Sequence, residues 1–279
     1  MNVERKRFEP FELESPLSDD SLHTFPLTNE PPQLISSLAK PESISSPELV
    51  RENPRLTVIV VNFNTKDLLK NCLDSIFKNS PIFGLKVCVV DNGSSDGSPE
   101  MVSADFPEVE LTRSPKNLGF SRANNLILSN VETEYALLVN PDILLPPGAI
   151  GALISFMDSN PNIGVLGPKL IRPDGSFDPG SKMGFATVEN VIARKLGLAK
   201  LFPKSRVFGG YHLKFLDENQ ISDVDAVAGA CMVIRKDVLE RVGFFDEEFF
   251  LGCEDLDFCY RVAQTPGPSG KPYRIITQK

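Results

Sequence analysis

The sequence predicts an α/β protein built around a mainly parallel β-sheet. From residue 56 onwards, continuous runs of β-branched and other apolar residues alternate with stretches whose apolar residues recur at helical spacing. This alternation is typical of β-α-β units, in which helices cover both faces of a parallel sheet. The chain has 279 residues, of which 41% are apolar, and can bury such a core without disulfides or metal ions.

The first 55 residues differ in composition and are predicted to form a disordered tail. They hold eight of the 23 prolines and eight serines, and their apolar residues show no sustained periodicity. Such a segment buries too little apolar surface to repay the entropy of ordering. A docking segment for a partner or a membrane surface is the alternative interpretation. The folded domain is expected to span residues 56–279.

The domain is predicted to open with a β-α-β unit. Residues 56–61 form a continuous β-branched run, as in a strand that is buried on both faces. Residues 66–79 carry one apolar stripe at helical spacing, which predicts an amphipathic helix. A second strand-like run covers residues 85–90 and ends at Asp91.

The next part of the chain continues the alternation. Residues 92–97 are rich in Gly, Ser and Asp and predict a turn, after which a short helix begins at Ser98. A third strand is predicted over 109–112, a helix over 121–130 and a fourth strand over 135–139.

The second half is less regular. A helix is predicted over 147–159, with proline at its start, and a strand over 163–167. A further helix is predicted near 188–198, a strand over 224–234 and a helix over 254–263.

Polar side chains follow three of the predicted strands at the point where each strand ends. In order, they are Asn62 and Asn64, Asp91 and Asn92, and Asn140 and Asp142. Any one of these residues alone would be interpreted as a turn or capping residue. Ligands of open parallel sheets bind outside the carboxyl ends of the strands, so three such ends in succession predict one binding site.

A second cluster of polar residues, Glu254-Asp255-Leu256-Asp257, begins the predicted helix over 254–263. Acidic residues in a first helical turn are favoured by the helix dipole, so a purely structural role is one interpretation. The other interpretation is a general base, since neighbouring like charges can raise the pKa of a carboxyl group.

Composition and missing motifs argue against several function classes. The net charge of −8 is unlike that of a general nucleic-acid binder, and it means that an anionic substrate needs local positive charge. The turn after the second strand lacks the spacing of an EF-hand. No G-x-G-x-x-G follows the first strand, and no Walker A sequence is present. A sugar nucleotidyltransferase should carry a Gly-rich basic loop at that place, where the chain has Asn62-Phe63-Asn64-Thr65.

The cysteines and the hydropathy pattern indicate the cellular compartment in which the protein is expected. Five cysteines, without C-x-x-C spacing, suit a reduced cytosolic protein better than a disulfide or zinc framework. No run of 18 or more apolar residues and no secretory signal pattern is present. We therefore expect a cytoplasmic protein, with peripheral contact at the inner face of the membrane left open.

Seven sequence blocks in order resemble the family 2 glycosyltransferases. The blocks are VIVVNFN at 58–64, VVDNGSSDGS at 89–98, NLGFSRANN at 117–125, LVNPD at 138–142, GACM at 229–232, FDEEFF at 245–250 and EDLDFCYR at 254–261. The branch that they resemble most is the bacterial rhamnosyltransferases of cell-surface polysaccharide synthesis. The resemblance implies a GT-A fold, a three-layer α/β/α domain that binds a nucleotide-sugar, and a reaction that inverts the anomeric centre.

The resemblance also implies site residues. It makes Asp255 the catalytic base, assisted by Glu254, and it makes Asp142 the carboxylate ligand of Mg²⁺ or Mn²⁺, within Asn140-Pro141-Asp142 at the place of the D-x-D metal motif. The implied nucleotide-sugar-binding residues are Asn62, Asn64, Asp91, Asn92, Asn117, Gly119, Asn124, Asn140, Gly229 and Ala230. The implied partners are a nucleotide-sugar donor, dTDP-rhamnose or a UDP-sugar, and a saccharide or lipid-linked acceptor.

The chain departs from the family pattern at its C-terminal end. Family members usually carry a histidine a few tens of residues after the Glu-Asp helix, whereas this chain has only His23 and His212. The chain is expected to end before the final functional segment and to bind metal weakly. A non-catalytic, glycosyltransferase-like binding protein is therefore the alternative to an enzyme.

Overall fold

The computed structural model describes residues 54–78, 80–81, 84–185, 196, 205, 213 and 215–278. The predicted tail, apart from Pro54 and Arg55, lies outside the described residues. The predicted helix near 188–198 also lies outside them, apart from Leu196.

Strands and helices alternate through the described part of the chain. The strands are β1 (Leu56–Asn62), β2 (Leu85–Asp91), β3 (Glu110–Arg113), β4 (Tyr135–Val139), β5 (Ile163–Pro168), β6 (Lys182–Met183), β7 (Ser222–Asp223), β8 (Ala226–Val227), β9 (Cys231–Arg235) and β10 (Arg274–Gln278). The helices are α1 (Lys66–Lys78), α2 (Ser98–Asp105), α3 (Phe120–Leu128), α4 (Ala149–Ser159), α5 (Lys236–Val242) and α6 (Glu254–Ala263), with a 3₁₀ turn at Pro179–Ser181.

Eight strands form one central sheet in the order β3-β2-β1-β4-β9-β5-β10-β7. Four of the neighbouring pairs are parallel, and the antiparallel ones involve β9 and the edge strand β7. Helices cover both faces, because successive strand residues point to opposite sides. Val58 and Val60 pack with α1 and α4, while Ile59 packs with α3, α5 and α6. The predicted three-layer α/β/α fold with a mainly parallel sheet is confirmed.

The predicted strand over 224–234 is wrong as a single element. The chain forms β8, then turns at Gly229–Ala230, and only then enters the central sheet as β9. The sequence pattern did not reveal this because both strands are buried and apolar, so periodicity alone does not locate the turn between them. Helix α5 was not predicted, and its seven residues are too few for a clear periodic signal.

No helix among the described residues is long and apolar enough to cross a membrane.

Candidate active site

The carboxyl ends of β1 and β2 lie side by side and hold the first pair of predicted site residues. Asn62 stands in register with Asp91, and both side chains are buried. The amide of Asn62 donates to Oγ of Ser94 at 3.1 Å and to Oδ1 of Asp91 at 3.4 Å. The backbone N–H of Ser94 donates to Oδ2 of Asp91 at 3.1 Å. These contacts fix the Asp91 carboxylate at the start of the loop after β2.

Asn64 joins the loops that follow these two strands. Its φ is +55°, a left-handed conformation that asparagine tolerates better than most residues. Its Oδ1 accepts the N–H of Ser95 at 2.8 Å, and its own N–H donates to Oγ of Ser94 at 2.9 Å. The side chain therefore holds protein loops together.

Asn92 fastens the loop over 117–119 to the end of β2. Its amide donates to Oδ1 of Asn117 at 2.9 Å and to the carbonyl of Gly119 at 3.2 Å, and its Oδ1 accepts the N–H of Leu118 at 2.8 Å. The side chains of Asn92 and Asn117 are thus engaged with each other. They shape the loop that precedes α3.

The structure places Asn124 inside α3, where its amide donates to the carbonyl of Phe120 at 2.9 Å. The next residue, Asn125, is one that the sequence analysis missed. Its amide donates to the carbonyl of Phe245 at 2.9 Å, and its Oδ1 accepts the N–H of Phe245 at 3.1 Å. Asn125 therefore anchors the chain that leads to α6, and the paired asparagines in the sequence block were the available signal.

The segment Asn140-Pro141-Asp142 follows β4 at the same edge of the sheet. The N–H of Asn140 donates to the carbonyl of Ala230 at 2.8 Å, and the carbonyl of Asn140 accepts the N–H of Ile143 at 3.1 Å. Asp142 is exposed, and its carboxylate makes no hydrogen bond or ion pair with the described residues. Its position leaves the carboxylate open to a ligand.

The residues around Asp142 suit a cation only if the substrate supplies further ligands. Within the described ranges, no group of three or more His, Cys, Asp or Glu side chains could hold a metal ion. Magnesium is commonly held by one or two carboxylates together with substrate phosphates and water. A divalent cation that arrives with a nucleoside diphosphate fits this donor set, whereas a resident metal held by protein alone does not.

We expect Mn²⁺ to bind weakly to the protein alone and at least about tenfold more tightly in the presence of a nucleoside diphosphate, because the phosphates complete the ligand set. Asp142→Asn should remove this enhancement, while the exposed control Asp174→Asn should retain it. Calorimetric titration with Mn²⁺, with and without UDP or dTDP, measures both. Tight binding of Mn²⁺ to the protein alone would contradict the expectation.

Asp255 lies at the first turn of α6 with both carboxylate oxygens held. Oδ2 accepts the N–H of Gly229 at 3.1 Å, and Oδ1 accepts the N–H of Leu256 at 2.8 Å. Two successive left-handed residues, Gly252 at φ +89° and Cys253 at φ +71°, turn the chain sharply into the helix. Burial raises the pKa of the Asp255 carboxyl above its ordinary value, while the two N–H donors act in the opposite direction.

Glu254, the residue before Asp255, is buried, at 5% exposure. Its Oε2 has no hydrogen-bond partner among the described residues. Burial raises the pKa of Glu254 to about 7, and the neighbouring charge of Asp255 acts in the same direction. Such a carboxyl is poised to exchange a proton near neutral pH.

The raised pKa of Glu254 predicts a loss of stability as pH rises. Between about pH 4.5 and 7, the folded protein keeps a proton that the unfolded chain has released, so the free energy of unfolding should fall by up to about 3 kcal/mol. Denaturant unfolding across this range measures the trend. Glu254→Gln should flatten it, and the exposed control Glu108→Gln should not. An identical pH dependence in the wild type and Glu254→Gln would contradict this expectation.

The turn Gly229–Ala230 connects the two halves of the candidate site. Gly229 donates its N–H to Asp255, and Ala230 accepts the N–H of Asn140. A Cβ on Gly229 would lie 3.2 Å from the ring of Phe120 and 3.8 Å from Cβ of Asp255, so the turn packs closely between them. The structure thus links the helix that carries Asp255 to the segment that carries Asp142.

The carboxyl ends of the parallel strands, the fixed Asp91 and the carboxyls of α6 together form the candidate site of this α/β domain. A family model, glycosyl transferase family 2, matches residues 57–243. The chain belongs to glycosyltransferase family 2.

Curated relatives include rhamnosyltransferases. The N-acetylglucosaminyl-diphospho-decaprenol L-rhamnosyltransferase of Mycobacterium tuberculosis is 27% identical in a 222-residue alignment that covers 75% of this chain and 70% of the relative. The rhamnosyltransferase WbbL of Escherichia coli is 25% identical in a 215-residue alignment that covers 74% of this chain and 76% of the relative. The resemblance to the rhamnosyltransferase branch is confirmed.

Solved structures share the fold. The mannosyltransferase PcManGT of Pyrobaculum calidifontis, in complex with GDP-Man and Mn²⁺, matches with a TM-score of 0.53 and 21% identity over 83% of this chain. The chain spans 56% of that protein. TarS 1-349 of S. aureus, in complex with UDP-GlcNAc, matches with a TM-score of 0.52 and 19% identity over 81% of this chain, which spans 59% of that protein. These matches confirm the GT-A-type fold.

Proposed function

We propose that the protein is an inverting glycosyltransferase. It would move a sugar, rhamnose in the first instance, from a nucleotide-sugar donor to a saccharide or lipid-linked saccharide acceptor in cell-surface polysaccharide synthesis. One observation carries the proposal: the Gly229–Ala230 turn contacts both Asp255 and the segment that carries Asp142. A base and a diphosphate-binding carboxylate would thus share one support, as an in-line displacement at an anomeric carbon requires.

In this reaction, Asp255 takes the proton from the acceptor hydroxyl. The acceptor oxygen forms a bond to the anomeric carbon on the face opposite the diphosphate, and the bond from that carbon to the diphosphate oxygen breaks. The pKa of Asp255, which burial raises, favours its action as a base, and the N–H of Gly229 keeps the carboxylate oriented. Glu254 would assist beside it, through its own pKa near neutral pH.

The nucleotide end of the donor would lie at the ends of β1 and β2. Asp91 would contact the base, with Asn62 and Asn92 beside it, and Asn64, Asn117, Gly119, Asn124 and Asn140 would shape the pocket. A divalent cation, Mg²⁺ or Mn²⁺, would neutralise charge on the leaving diphosphate, and Asp142 would be its protein ligand. The net charge of −8 means that an anionic diphosphate needs local positive charge, which such a cation would supply.

The donor and acceptor classes are supported by the relatives. The mycobacterial relative is named for L-rhamnose and N-acetylglucosaminyl-diphospho-decaprenol, and it covers most of this domain. We therefore propose dTDP-rhamnose as the donor, with a UDP-sugar as the second choice. The protein would work in the cytoplasm, in peripheral contact with the inner face of the membrane when its acceptor is lipid-linked.

A panel of nucleotide-sugars tested by thermal shift identifies the donor, because a specific ligand raises the unfolding temperature by mass action. Transfer to saccharide acceptors is then measured with and without Mn²⁺. Stabilisation by one donor together with cation-dependent transfer supports the proposal. Donor binding without turnover on any acceptor would favour the non-catalytic binding protein instead.

A further inference from the structure

Phe250 is an exposed aromatic residue that packs against Gly119, in the loop that Asn92 holds by hydrogen bonds. We call this packing the closure of Phe250 over Gly119. The N–H of Phe120, the first residue of α3, donates to the carbonyl of Phe250 at 2.7 Å. Gly119, the residue before α3, offers no side chain to cap the helix. The carbonyl of Phe250 therefore satisfies one of the N–H groups that a helix start leaves without an intrahelical partner.

Gly119 leaves room for this contact and for nothing larger. Its φ is +83° and its ψ is 177°, a conformation essentially restricted to glycine. A Cβ at this position would overlap the carbonyl oxygen of Phe250 and would lie 2.7 Å from Cδ2 of its ring. The backbone of Gly119 and the ring and carbonyl of Phe250 therefore form one close contact, although 58% of Phe250 remains exposed.

This contact lies between the two functional halves of the candidate site. On one side, Asn92 next to Asp91 holds the carbonyl of Gly119 and the N–H of Leu118. On the other side, Phe250 lies five residues before Asp255, and only Leu251 and the left-handed turn at Gly252 and Cys253 separate it from α6.

We propose that Phe250 is a positioning residue that couples occupancy of the nucleotide pocket to the placement of Asp255. Nucleotide bound beside Asp91 and Asn92 would brace the Gly119 loop. That loop holds the Phe250 carbonyl, which in turn sets where the turn into α6 begins. The coupling to catalysis rests on the proposed function, whereas the closure of Phe250 over Gly119 can be tested without any substrate.

The rate at which the thiol of Cys253 is labelled can report whether Phe250 is closed over Gly119. Cys253 is exposed and lies in the turn itself, whereas the other four cysteines are buried. Phe250→Ala keeps the carbonyl but removes the ring that packs against Gly119, so the turn should open more often. Because burial raises the pKa of the Cys253 thiol, opening should raise the rate at which DTNB labels it in the free protein by at least about threefold. Leu251→Ala, which truncates the more exposed neighbour of Phe250, should leave the rate unchanged. Equal rates in the wild type and Phe250→Ala would overturn the proposal.

The same reporter tests the coupling. UDP or dTDP at saturation, established by calorimetry, should slow labelling of Cys253 in the wild type and much less in Phe250→Ala. Binding of nucleotide with no change in the labelling rate would overturn the coupling but not the proposed function. If neither nucleotide binds, both the proposed function and the coupling are contradicted. The closure is then tested by the labelling rate of Cys253 in the free protein alone.

Steady-state kinetics of sugar transfer distinguish a positioning role of Phe250 from a merely structural one. Phe250→Ala should lower kcat by about tenfold or more and raise the donor KM by a smaller factor, because a small displacement of the base mainly costs rate. Phe250→Tyr, which keeps the ring, should restore kcat.

Gly119→Ala should reproduce the loss by displacing the Phe250 carbonyl, while Gly148→Ala, a helix start at φ +78° with open space, should not. A change confined to the donor KM would overturn the assignment.

Discussion

Asp255→Asn is expected to lower the rate of sugar transfer by about 10²- to 10⁴-fold, the range typical of losing a general base. The amide can still accept the N–H groups of Gly229 and Leu256 through its oxygen, but it cannot take a proton from the acceptor. Donor affinity and the unfolding temperature should therefore change little. Steady-state transfer, donor calorimetry and thermal unfolding of the same preparation measure the three quantities.

Two matched variants sharpen this expectation. Asp257→Asn alters a carboxylate on the same helix that is paired with Nε of Arg261 at 2.8 Å, and transfer should remain within a few-fold of wild type. Glu254→Gln should shift the pH profile of kcat more than its maximum, since the pKa of this carboxyl is about 7. Near-normal turnover in Asp255→Asn, or a larger loss in Glu254→Gln, would move the base from Asp255 to Glu254.

Arg235→Met is expected to have the largest effect on stability. Arg235 ends β9, and its guanidinium donates to the carbonyls of Met157 at 2.7 Å, Asn160 at 3.2 Å and Ile163 at 3.1 Å. It also donates to the hydroxyl of Tyr135 at 3.2 Å. The side chain thereby joins the C-terminal end of α4 to the start of β5, where it adds donors to backbone carbonyls at the end of the helix.

Methionine preserves the aliphatic packing but removes the guanidinium donors, so that the carbonyls of Met157 and Asn160 keep only one backbone N–H each. The free energy of unfolding should fall by about 2–4 kcal/mol, as for the loss of a hydrogen-bond network on partly buried acceptors. Denaturant unfolding measures it. The control Arg241→Met removes an exposed arginine that donates to the carbonyl of Pro266, and it should cost less than about 1 kcal/mol. Equal losses in the two variants would contradict this account.

Much of the fold could be predicted because its signals are local. The continuous β-branched run at 56–61 and the apolar stripe of 66–79 became β1 and α1 within a residue, and the helix at 254–263 became α6 at the same bounds. Such elements bury one clear face or both, so side-chain periodicity determines them. The strand 224–234 was wrong because Gly229–Ala230 turns the chain between two partners that lie far away in sequence.

Some features of the candidate site could also be predicted from the sequence, and others could not. Asn62, Asp91, Asp142 and Asp255 could be named from the sequence, because residues that follow parallel strands or begin a helix are placed by local structure. The contacts that hold these side chains in place could not be predicted from the sequence. The two-way clamp of Asn125 on Phe245, the contact of Gly229 with Asp255 and the closure of Phe250 over Gly119 join residues that lie 26 to 131 positions apart, or connect loops without periodicity.

The sequence by itself determined the alternation of strands and helices, the edge of the sheet where polar residues gather and the family to which the blocks belong. Only the tertiary structure decided that β9 runs antiparallel between β4 and β5, and that its preceding turn holds both Asp255 and Asn140. The reason is physical: periodicity records which face of an element is buried, whereas hydrogen bonds between distant loops depend on how the whole sheet brings them together.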